Sequence, residues 1–174
     1  MFSNLPMVWA QAYKTENGHV IFKSTVPLHS FTGESDHLVG KITLPDSTVD
    51  FYLDLNTLKT GIGKRDKDMR ETLESRKYSF ASFYGKLTSP FDPGMDDPQE
   101  AAVQGTFKLH NISHKVQIEG TLQMTDQGLK VHAEWVLQLK DYNIEPPGIL
   151  FYRVDQEQKI KIDALLKPLN QATQ

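Results

Sequence analysis

The sequence contains no cysteine, which excludes disulfides, thiol nucleophiles and cysteine-ligated zinc. It also lacks an excess of positive charge, because 19 Lys and Arg residues stand against 22 Asp and Glu residues. Nucleic-acid-binding proteins usually present a basic face, so we predict no nucleic-acid partner. No apolar run is long enough to span a bilayer as a helix. The rest of the composition, 174 residues of which 39% are hydrophobic, is typical of one globular domain with a sizeable core.

Familiar catalytic motifs are also missing. The chain has no Gly-x-Ser-x-Gly elbow, no Walker loop and no dinucleotide-binding fingerprint. His110 and His114 flank a predicted hairpin turn, and no third ligand nearby would complete a zinc site, so we interpret them as a solvated pair. The acidic loop 89–100 matches no calcium-ligand spacing. We therefore predict no metal, no cofactor and no enzymatic activity.

What the sequence has in abundance is alternation of apolar and polar residues, the pattern of half-buried strands. The clearest example is TVDFYLDL, in which every second residue from Val49 to Leu55 is apolar. About eight segments share this pattern, and only one segment has helical spacing. Eight antiparallel strands with one short helix predict an all-β fold, either a barrel closed on itself or a sandwich.

The helical spacing lies within TGIGKRDKDMRETLESRKYSF, residues 60–80. Met69 and Leu73 are four residues apart and form a narrow apolar stripe on a charged helix, predicted over about residues 65–75. We expect this stripe to face the sheet as a lid, with the charged side chains paired in water.

The start of this helix has two interpretations that are compatible with each other. Asp66 is placed to cap the helix through its carboxylate. Lys64 and Arg65 stand beside the helix N-terminus, where an anionic group would be attracted. We predict the cap as the main role and a contact with a ligand head group as the minor one.

Three segments resemble the motifs of the YceI-like family of polyisoprenoid-binding, lipocalin-like proteins. In DLNTLKTGIGKRDKDMRETLESRKYSFASF, the Arg-Asp pair at 65–66 and the apolar helix position at Met69 match the family pattern. GTFKLHNISHKVQIEGTL is similar to the family's hairpin, and LQLKDYNIEPP is similar to its D-[FY]-x-I segment. The order and spacing of these motifs agree over about residues 20–167.

The sequence departs from the family pattern at three positions. Asp68 stands where the family often has His, and Ser79 where it usually has Pro. Asn111 replaces the hairpin's turn Gly, but Asn tolerates left-handed conformations, so we expect the turn to be kept. The Asp68 change weakens the case for a specific head-group contact.

The resemblance implies an eight-stranded antiparallel lipocalin-like barrel. It also implies non-enzymatic binding, transport or storage of an amphipathic lipid, such as a polyisoprenoid or a fatty-acid derivative, with the apolar tail inside the barrel. Lys64 and Arg65 are the candidate head-group contacts, and Met69 and Leu73 belong to the lid helix. The candidate wall residues are Phe22, Phe51, Phe80, Phe107, Ile118, Trp135, Leu137 and Ile160.

The resemblance also implies export to the bacterial periplasm or secretion. Val8 and Ala10 give the small-x-small pattern that precedes a signal-peptidase cut, although a basic start and a long apolar core are missing before it. The alternative is a frayed end with a chance pattern. We assign residues 1–10 to a signal-peptide remnant or disordered end, 11–168 to the single barrel domain and 169–174 to a tail.

Two other functions stay open at this point. An enzyme on the same barrel would bring at least two titratable side chains together inside the cavity. A β-sandwich that recruits a protein partner would have a large exposed apolar patch and no internal cavity. The chain is expected to be a monomer or a homodimer.

Overall fold

A computed structural model describes residues 10–26, 29–146 and 156–169 of the chain. Its eight strands form one closed barrel in which each strand pairs antiparallel with the next and the last returns to the first. The eight strands are β1 (Ala12–Val26), β2 (His29–Thr43), β3 (Thr48–Asp54), β4 (Phe80–Leu87), β5 (Gln99–Leu109), β6 (Ile112–Thr125), β7 (Gly128–Gln138) and β8 (Glu157–Pro168). The predicted barrel is confirmed, and the sandwich alternative is wrong.

Alternation decides which side chains enter the barrel. Val49, Phe51 and Leu53 are buried, whereas Asp50 and Tyr52 between them are exposed. Because the side-chain period of a strand is two, a strand with this pattern can bury its apolar face only in one register. The same rule places most apolar strand residues on the inner wall, whereas a few, such as Tyr84 and Val136, are exposed on the outer face.

β1 departs from simple alternation near its middle. Thr15 and Val20 are both buried although five positions separate them, an odd spacing that would put them on opposite faces of a regular strand. The pairing with β2 shifts register between Thr15 and Val20, around Gly18. Such irregularities bend a strand and increase its twist. The bulge therefore lets a 15-residue strand follow the curved wall while both of its halves contribute to the core.

The connection between β3 and β4 contains the single α-helix of the described residues, α1 (Gly63–Thr72). It begins two residues earlier and ends three residues earlier than the sequence predicted. The cap prediction is wrong: Ile62 is the N-cap and makes no side-chain cap bond. Asp66 lies inside the first turn and accepts hydrogen bonds from Thr60 instead.

The turn at Asn111 is kept, as expected. Asn111 has a φ of 60° and its neighbour His110 a φ of 52°, so both residues are left-handed. Two such residues in a row are typical of the tight hairpin turns whose twist matches that of the flanking strands. Asn accepts this conformation at little cost, which explains how the turn survives without Gly.

The end of the barrel opposite α1 is filled by side chains. Leu129 and Leu166 are completely buried there, and Tyr13 and Met124 are almost completely buried. Leu129 and Leu166 are paired across β7 and β8. Gly128, at the start of β7, has a φ of +138° and lies against the backbone carbonyl of Leu166. This end is therefore packed like an ordinary core.

We expect Gly128→Ala to lower the free energy of unfolding by about 2 kcal/mol, because the new methyl group would collide with the Leu166 carbonyl at a backbone conformation that side chains rarely adopt. Urea denaturation followed by circular dichroism measures the change. Gly63→Ala is the matched control, since Gly63 has no neighbour in the space that a Cβ would occupy. An equal loss of stability in both variants would contradict the close packing of this end.

Candidate ligand-binding cavity

The barrel encloses a cavity of about 600 Å³ above the filled end. This volume lies within the range of about 300–1,000 Å³ that small-molecule sites usually have. Its wall consists mainly of aliphatic and aromatic side chains from the inner faces of the strands. The residues of the filled end, Tyr13, Met124, Leu129 and Leu166, lie outside the wall. The cavity is therefore a pocket with a floor.

Seven of the eight predicted wall residues line this cavity. They are Phe22, Phe51, Phe107, Ile118, Trp135, Leu137 and Ile160. All seven occupy inward positions of strands in which apolar and polar residues alternate, which is why sequence periodicity could find them. Their contact with a ligand stays a prediction.

The placement of Phe80 is wrong. Phe80 is 53% exposed on the outer surface, where its ring meets the Tyr52 ring edge-on at 5.9 Å between centroids. The strand that it begins is apolar on both faces, so alternation alone could not decide its phase. The structure puts Ala81 and Phe83 inward, and Phe80 pairs with Asp54 on the outward phase.

Several wall residues lie outside the regular strands. Leu55 and Leu139 continue the alternation of β3 and β7, whereas strand periodicity missed Leu58 and Ile144. Leu55 and Leu58 come from the connection that follows β3, and both are buried. Leu139 and Ile144 come from the connection after β7 and are also buried. The only sequence signal for Leu58 and Ile144 is an apolar side chain near a strand end, which also occurs in ordinary loops.

The large side chain of Phe51 lines the cavity and packs over a glycine of the neighbouring strand. Its ring lies over Gly40 on the neighbouring strand, where a Cβ would collide with it. A large side chain can lie flat against the wall where the facing residue is glycine. The Gly40–Phe51 pair thus covers the backbone with apolar surface at this point of the wall.

The lid helix lies across the opposite end of the cavity from the floor. Met69 and Leu73 line the cavity from this side and pack against the core, as the sequence indicated. None of the residues of α1 is fully buried. The helix therefore covers the cavity through a narrow apolar contact, and its residues are partly or largely exposed.

Three charged side chains of α1, Lys64, Arg65 and Asp68, stand on the rim of the cavity. The Arg65 guanidinium lies over the Phe31 ring, 4.6 Å from its centroid. A cation over an aromatic face is attracted by the ring quadrupole. The rim thus carries two cations and one carboxylate directly above an apolar wall.

Asp66 fixes the beginning of the helix without capping it. Its Oδ1 accepts from the Thr60 backbone N–H at 2.7 Å and from Thr60 Oγ1 at 2.6 Å. These bonds favour the ionised carboxylate, so the pKa of Asp66 lies below its ordinary value, mainly because of the Thr60 hydroxyl and then the Thr60 amide. Arg70 and Arg65 lower it further.

His110 holds the chain just after the helix, and its interpretation as a solvated residue is wrong. Its Nε2 meets the Glu74 carboxylate, and its Nδ1 lies 3.0 Å from the Tyr142 carbonyl oxygen. The Tyr78 ring contacts it edge-on, 4.7 Å between centroids. His114 is exposed, and its Nε2 lies 2.7 Å from the Asp141 carbonyl oxygen. The two histidines therefore lie near different carbonyl oxygens, although both contact Tyr142, His114 through its ring at 5.1 Å between centroids.

The polar groups of the wall form no catalytic arrangement in the part of the chain that the structure describes. Gln158 lies on the wall and donates from Nε2 to Ser24 Oγ at 3.1 Å, so these two buried polar side chains satisfy each other. Glu119 and His132 also border the cavity, but His132 Nδ1 faces Asp163 Oδ1 at 2.7 Å on an exposed surface. Within residues 10–26, 29–146 and 156–169, no three His, Asp or Glu side chains are grouped to hold a metal ion.

Membrane-crossing helices are absent from the same ranges. Within them, no helix has the length and the apolar character that crossing a bilayer requires.

A closed eight-stranded barrel with an apolar cavity and one lid helix belongs to the lipocalin-like class of folds. The comparison with protein families is more specific: the sequence matches the YceI-like domain family over residues 13–166. The chain therefore belongs to the YceI-like family. No curated protein sequence matches it closely enough to count as a relative.

Solved structures with the same fold come from several bacteria. A polyisoprenoid-binding domain from Saccharophagus degradans, implicated in plant cell wall breakdown, is 17% identical, with a TM-score of 0.76 over 92% of this chain and 100% of that one. BcnA of Burkholderia cenocepacia is 12% identical, with a TM-score of 0.69 over 84% and 94%. The YceI protein of Campylobacter jejuni is 12% identical, with a TM-score of 0.60 over 81% and 88%. At these identities the likeness shows the fold.

The depressed pKa of Asp66 makes the stability of the protein depend on pH. The folded-state pKa lies below the unfolded value, so the contribution of Asp66 is fully present above about pH 4 and is lost as the pH falls through the folded-state pKa. We expect Asp66→Asn to lower the free energy of unfolding at neutral pH by about 1 kcal/mol and to flatten its fall below about pH 4.

Urea denaturation at a series of pH values compares the two proteins. Asp97→Asn, in the exposed loop between β4 and β5, controls for the loss of one negative charge. If the free energy of unfolding of the wild type and of Asp66→Asn changes with pH in parallel, the bonds from Thr60 contribute nothing to the pH dependence of stability.

Proposed function

We propose that the protein binds an amphipathic lipid without chemical change, with the apolar tail in the cavity and the polar head at the lid. The observation that carries this proposal is the cavity of about 600 Å³, whose wall is almost entirely apolar. A cavity of this kind has few groups that recognise a polar ligand, but it offers continuous contact to a hydrocarbon chain. We propose carriage or storage of such a lipid as the physiological role.

The free energy of binding would come from burial of the tail. Moving a hydrocarbon chain from water into an apolar environment is favourable by about 0.8 kcal/mol per CH₂ group. Phe22, Phe107 and Trp135 provide large apolar surfaces for this contact, and Phe107 and Trp135 already meet edge-on at 6.1 Å between ring centroids. A long tail would therefore bind tightly with almost no polar contacts.

The family comparison supports a polyisoprenoid as the first ligand class to test. The structural neighbour from Saccharophagus degradans is described as a polyisoprenoid-binding domain, and it is covered along its full length by this chain. A fatty-acid derivative would satisfy the same apolar wall. The neighbour's description favours the polyisoprenoid.

We propose that the lipid carries an anionic head group. Lys64 and Arg65 stand on the rim, so a phosphate there would lie beside two cations while the tail enters the cavity. Asp68 on the same rim opposes this attraction, and its position in the helix would orient the head group toward the cationic side. Arginine suits phosphate because its planar fork can donate two parallel hydrogen bonds.

An enzymatic role has less support from the geometry. In the described residues, the titratable side chains of α1 that border the cavity stand on its rim, and His132 binds Asp163 on an exposed surface. General acid–base catalysis needs titratable groups within reach of one substrate atom. We therefore propose a non-enzymatic carrier. We also propose that this carrier acts as a monomer or a homodimer.

We also propose export to the periplasm or outside the cell. The support is the small-x-small pattern at Val8 and Ala10, together with the export that the resemblance to the YceI-like family implies. Val8 lies outside the described residues. Fractionation of the native bacterium, with an antibody against the protein, tests the location.

Extraction of the purified native protein with organic solvent, followed by mass spectrometry, tests the function directly. We expect one or a few lipids in stoichiometric amount. A protein that releases no lipid and takes up neither a polyisoprenyl phosphate nor a fatty acid in a binding titration would refute the proposal.

A substitution that fills the cavity should abolish binding. Ala101 and Ala102 are neighbours on β5, but Ala101 lines the cavity whereas Ala102 lies on the opposite face. We expect Ala101→Trp to lower the affinity for the lipid at least tenfold, because the indole would occupy space that the tail needs. Ala102→Trp adds the same side chain outside the cavity and should leave the affinity unchanged. Fluorescence titration with a labelled polyisoprenyl lipid measures both.

If Arg65 contacts the head group, replacing it should reduce the preference of the protein for a charged lipid. We expect the wild type to bind a polyisoprenyl phosphate more tightly than the matching alcohol, and Arg65→Gln to reduce this preference about tenfold, the range of a charge-assisted hydrogen bond. The affinity for the alcohol should stay the same, since the tail contacts are untouched. Equal loss for both ligands would mean that Arg65 acts only through its packing on Phe31.

A further inference from the structure

The segment from Lys59 to Lys67 crosses the rim of the cavity and carries an unusual concentration of positive charge. It contains four cations, Lys59, Lys64, Arg65 and Lys67, and a single carboxylate, Asp66. The whole protein has a net charge of −3. Asp68 follows the segment on the same rim, so four cations stand beside two carboxylates there, and the rim is a basic region on an acidic protein.

The charges of this segment are turned outward and are only partly neutralised. Asp66 is engaged by Thr60. Lys67 lies 3.8 Å from Glu71, and both side chains are largely exposed. Among the described residues, neither Lys59 nor Lys64 has a carboxylate within ion-pair distance. Much of the positive charge at the rim is thus available to an external partner.

An exposed apolar side chain lies in the middle of this basic segment. Ile62 is 50% exposed just before α1 and also borders the cavity. The backbone of Lys59 is fixed to Glu34 of β2 by two hydrogen bonds of 2.8 and 2.9 Å, so the segment is held at the barrel wall. Ile62 therefore projects from a fixed position, flanked by cations on both sides.

We propose that the segment Lys59–Lys67, the docking segment, binds the surface of an anionic lipid bilayer, with Ile62 inserted among the acyl chains. The proposal rests on the proposed function, because it gives the route by which a lipid enters the cavity. Basic side chains around an apolar residue are the combination that holds peripheral proteins at an anionic membrane surface.

Docking at this place solves a physical problem of lipid transfer. A lipid that crosses water between the bilayer and the cavity exposes its whole tail, and every CH₂ group adds to the barrier. If the cavity mouth sits on the bilayer, the tail passes from one apolar medium to another. Ile62 lies on the border of the cavity and on the proposed membrane contact, so the two surfaces are continuous.

Flotation with lipid vesicles tests the docking segment. The double variant Lys59→Gln/Lys67→Gln removes two charges that do not border the cavity, so its lipid pocket is untouched. On vesicles with roughly 30% phosphatidylglycerol in phosphatidylcholine, at low salt, we expect about tenfold weaker binding than for the wild type, from the two lost charges near the surface. The wild type should not bind vesicles of phosphatidylcholine alone, and a high salt concentration should abolish its binding to the anionic vesicles.

The matched control removes two charges at the filled end of the barrel. Lys130 and Lys167 are both exposed there, on β7 and β8. Lys130→Gln/Lys167→Gln changes the net charge by the same amount and should bind anionic vesicles like the wild type. An equal loss in the two double variants would overturn the proposal, because it would show attraction by net charge rather than by the docking segment.

A second measurement locates the contact and uses the absence of native cysteine. Ile62→Cys, labelled with a polarity-sensitive fluorophore, should show a blue shift on anionic vesicles. Gln127→Cys, in the exposed turn between β6 and β7 at the filled end, should show none. An unchanged spectrum at position 62 would overturn the insertion of this residue.

The failure of docking can be told apart from the failure of lipid binding. The double variant Lys59→Gln/Lys67→Gln is titrated in parallel with a soluble labelled polyisoprenyl lipid, in the absence of vesicles. Docking is supported if vesicle binding falls while the lipid affinity stays unchanged. Docking is refuted, and the proposed function stands, if the wild type binds the soluble lipid but no anionic vesicles. Both are refuted if the wild type binds neither.

Discussion

Ring closure through the pairing of β1 with β8 is the constraint on which the other features depend. An open sheet of eight strands would leave two edges with unpaired backbone groups and would have to bury its apolar face against another layer. In the closed barrel, Phe22 of β1 faces Ile160 of β8 across the seam, and both contribute to the same wall. Closure thus removes the edges of the sheet. It also encloses the apolar face, so no second layer is needed to cover that face.

The two ends of the barrel interior differ in how closely their side chains pack. At one end Leu129 and Leu166 pack to full burial, which supplies core stability in the usual way. At the other end the interior stays open beneath α1, and the apolar side chains there face a cavity instead of one another. A cavity lowers stability because its lining lacks contacts. Such a loss is tolerable because the filled end and the continuous ladder of strand pairs hold the barrel together, so the open end is available for binding.

Sequence reasoning predicted the features that follow from one local rule and missed those that depend on distant partners. Alternation found the strands and most of the wall, since a side chain's face is fixed by its position in the strand. It failed at Phe80, where both faces are apolar and only pairing with Asp54 decides the phase. It also could not foresee that Asp66 would bind Thr60, six positions earlier, or that His110 would meet Glu74, 36 positions away. These contacts depend on how the lid connection folds back, which no short sequence pattern records.

The way the lid helix is attached has a consequence for how the interior exchanges its contents. Among the described residues, the helix shares no ladder hydrogen bond with the barrel and buries none of its side chains completely. Thr60 binds Asp66 at its start, Arg65 lies over the Phe31 ring of β2, and His110 meets Glu74 just after it. Regions with few buried contacts open at a free energy far below that of global unfolding. Opening of the lid connection is therefore expected to cost less free energy than unfolding of the eight-stranded ring. The contacts at Arg65, Asp66 and Glu74 would oppose this opening, so a change in any of them is expected to alter access to the interior without a change in the sheet.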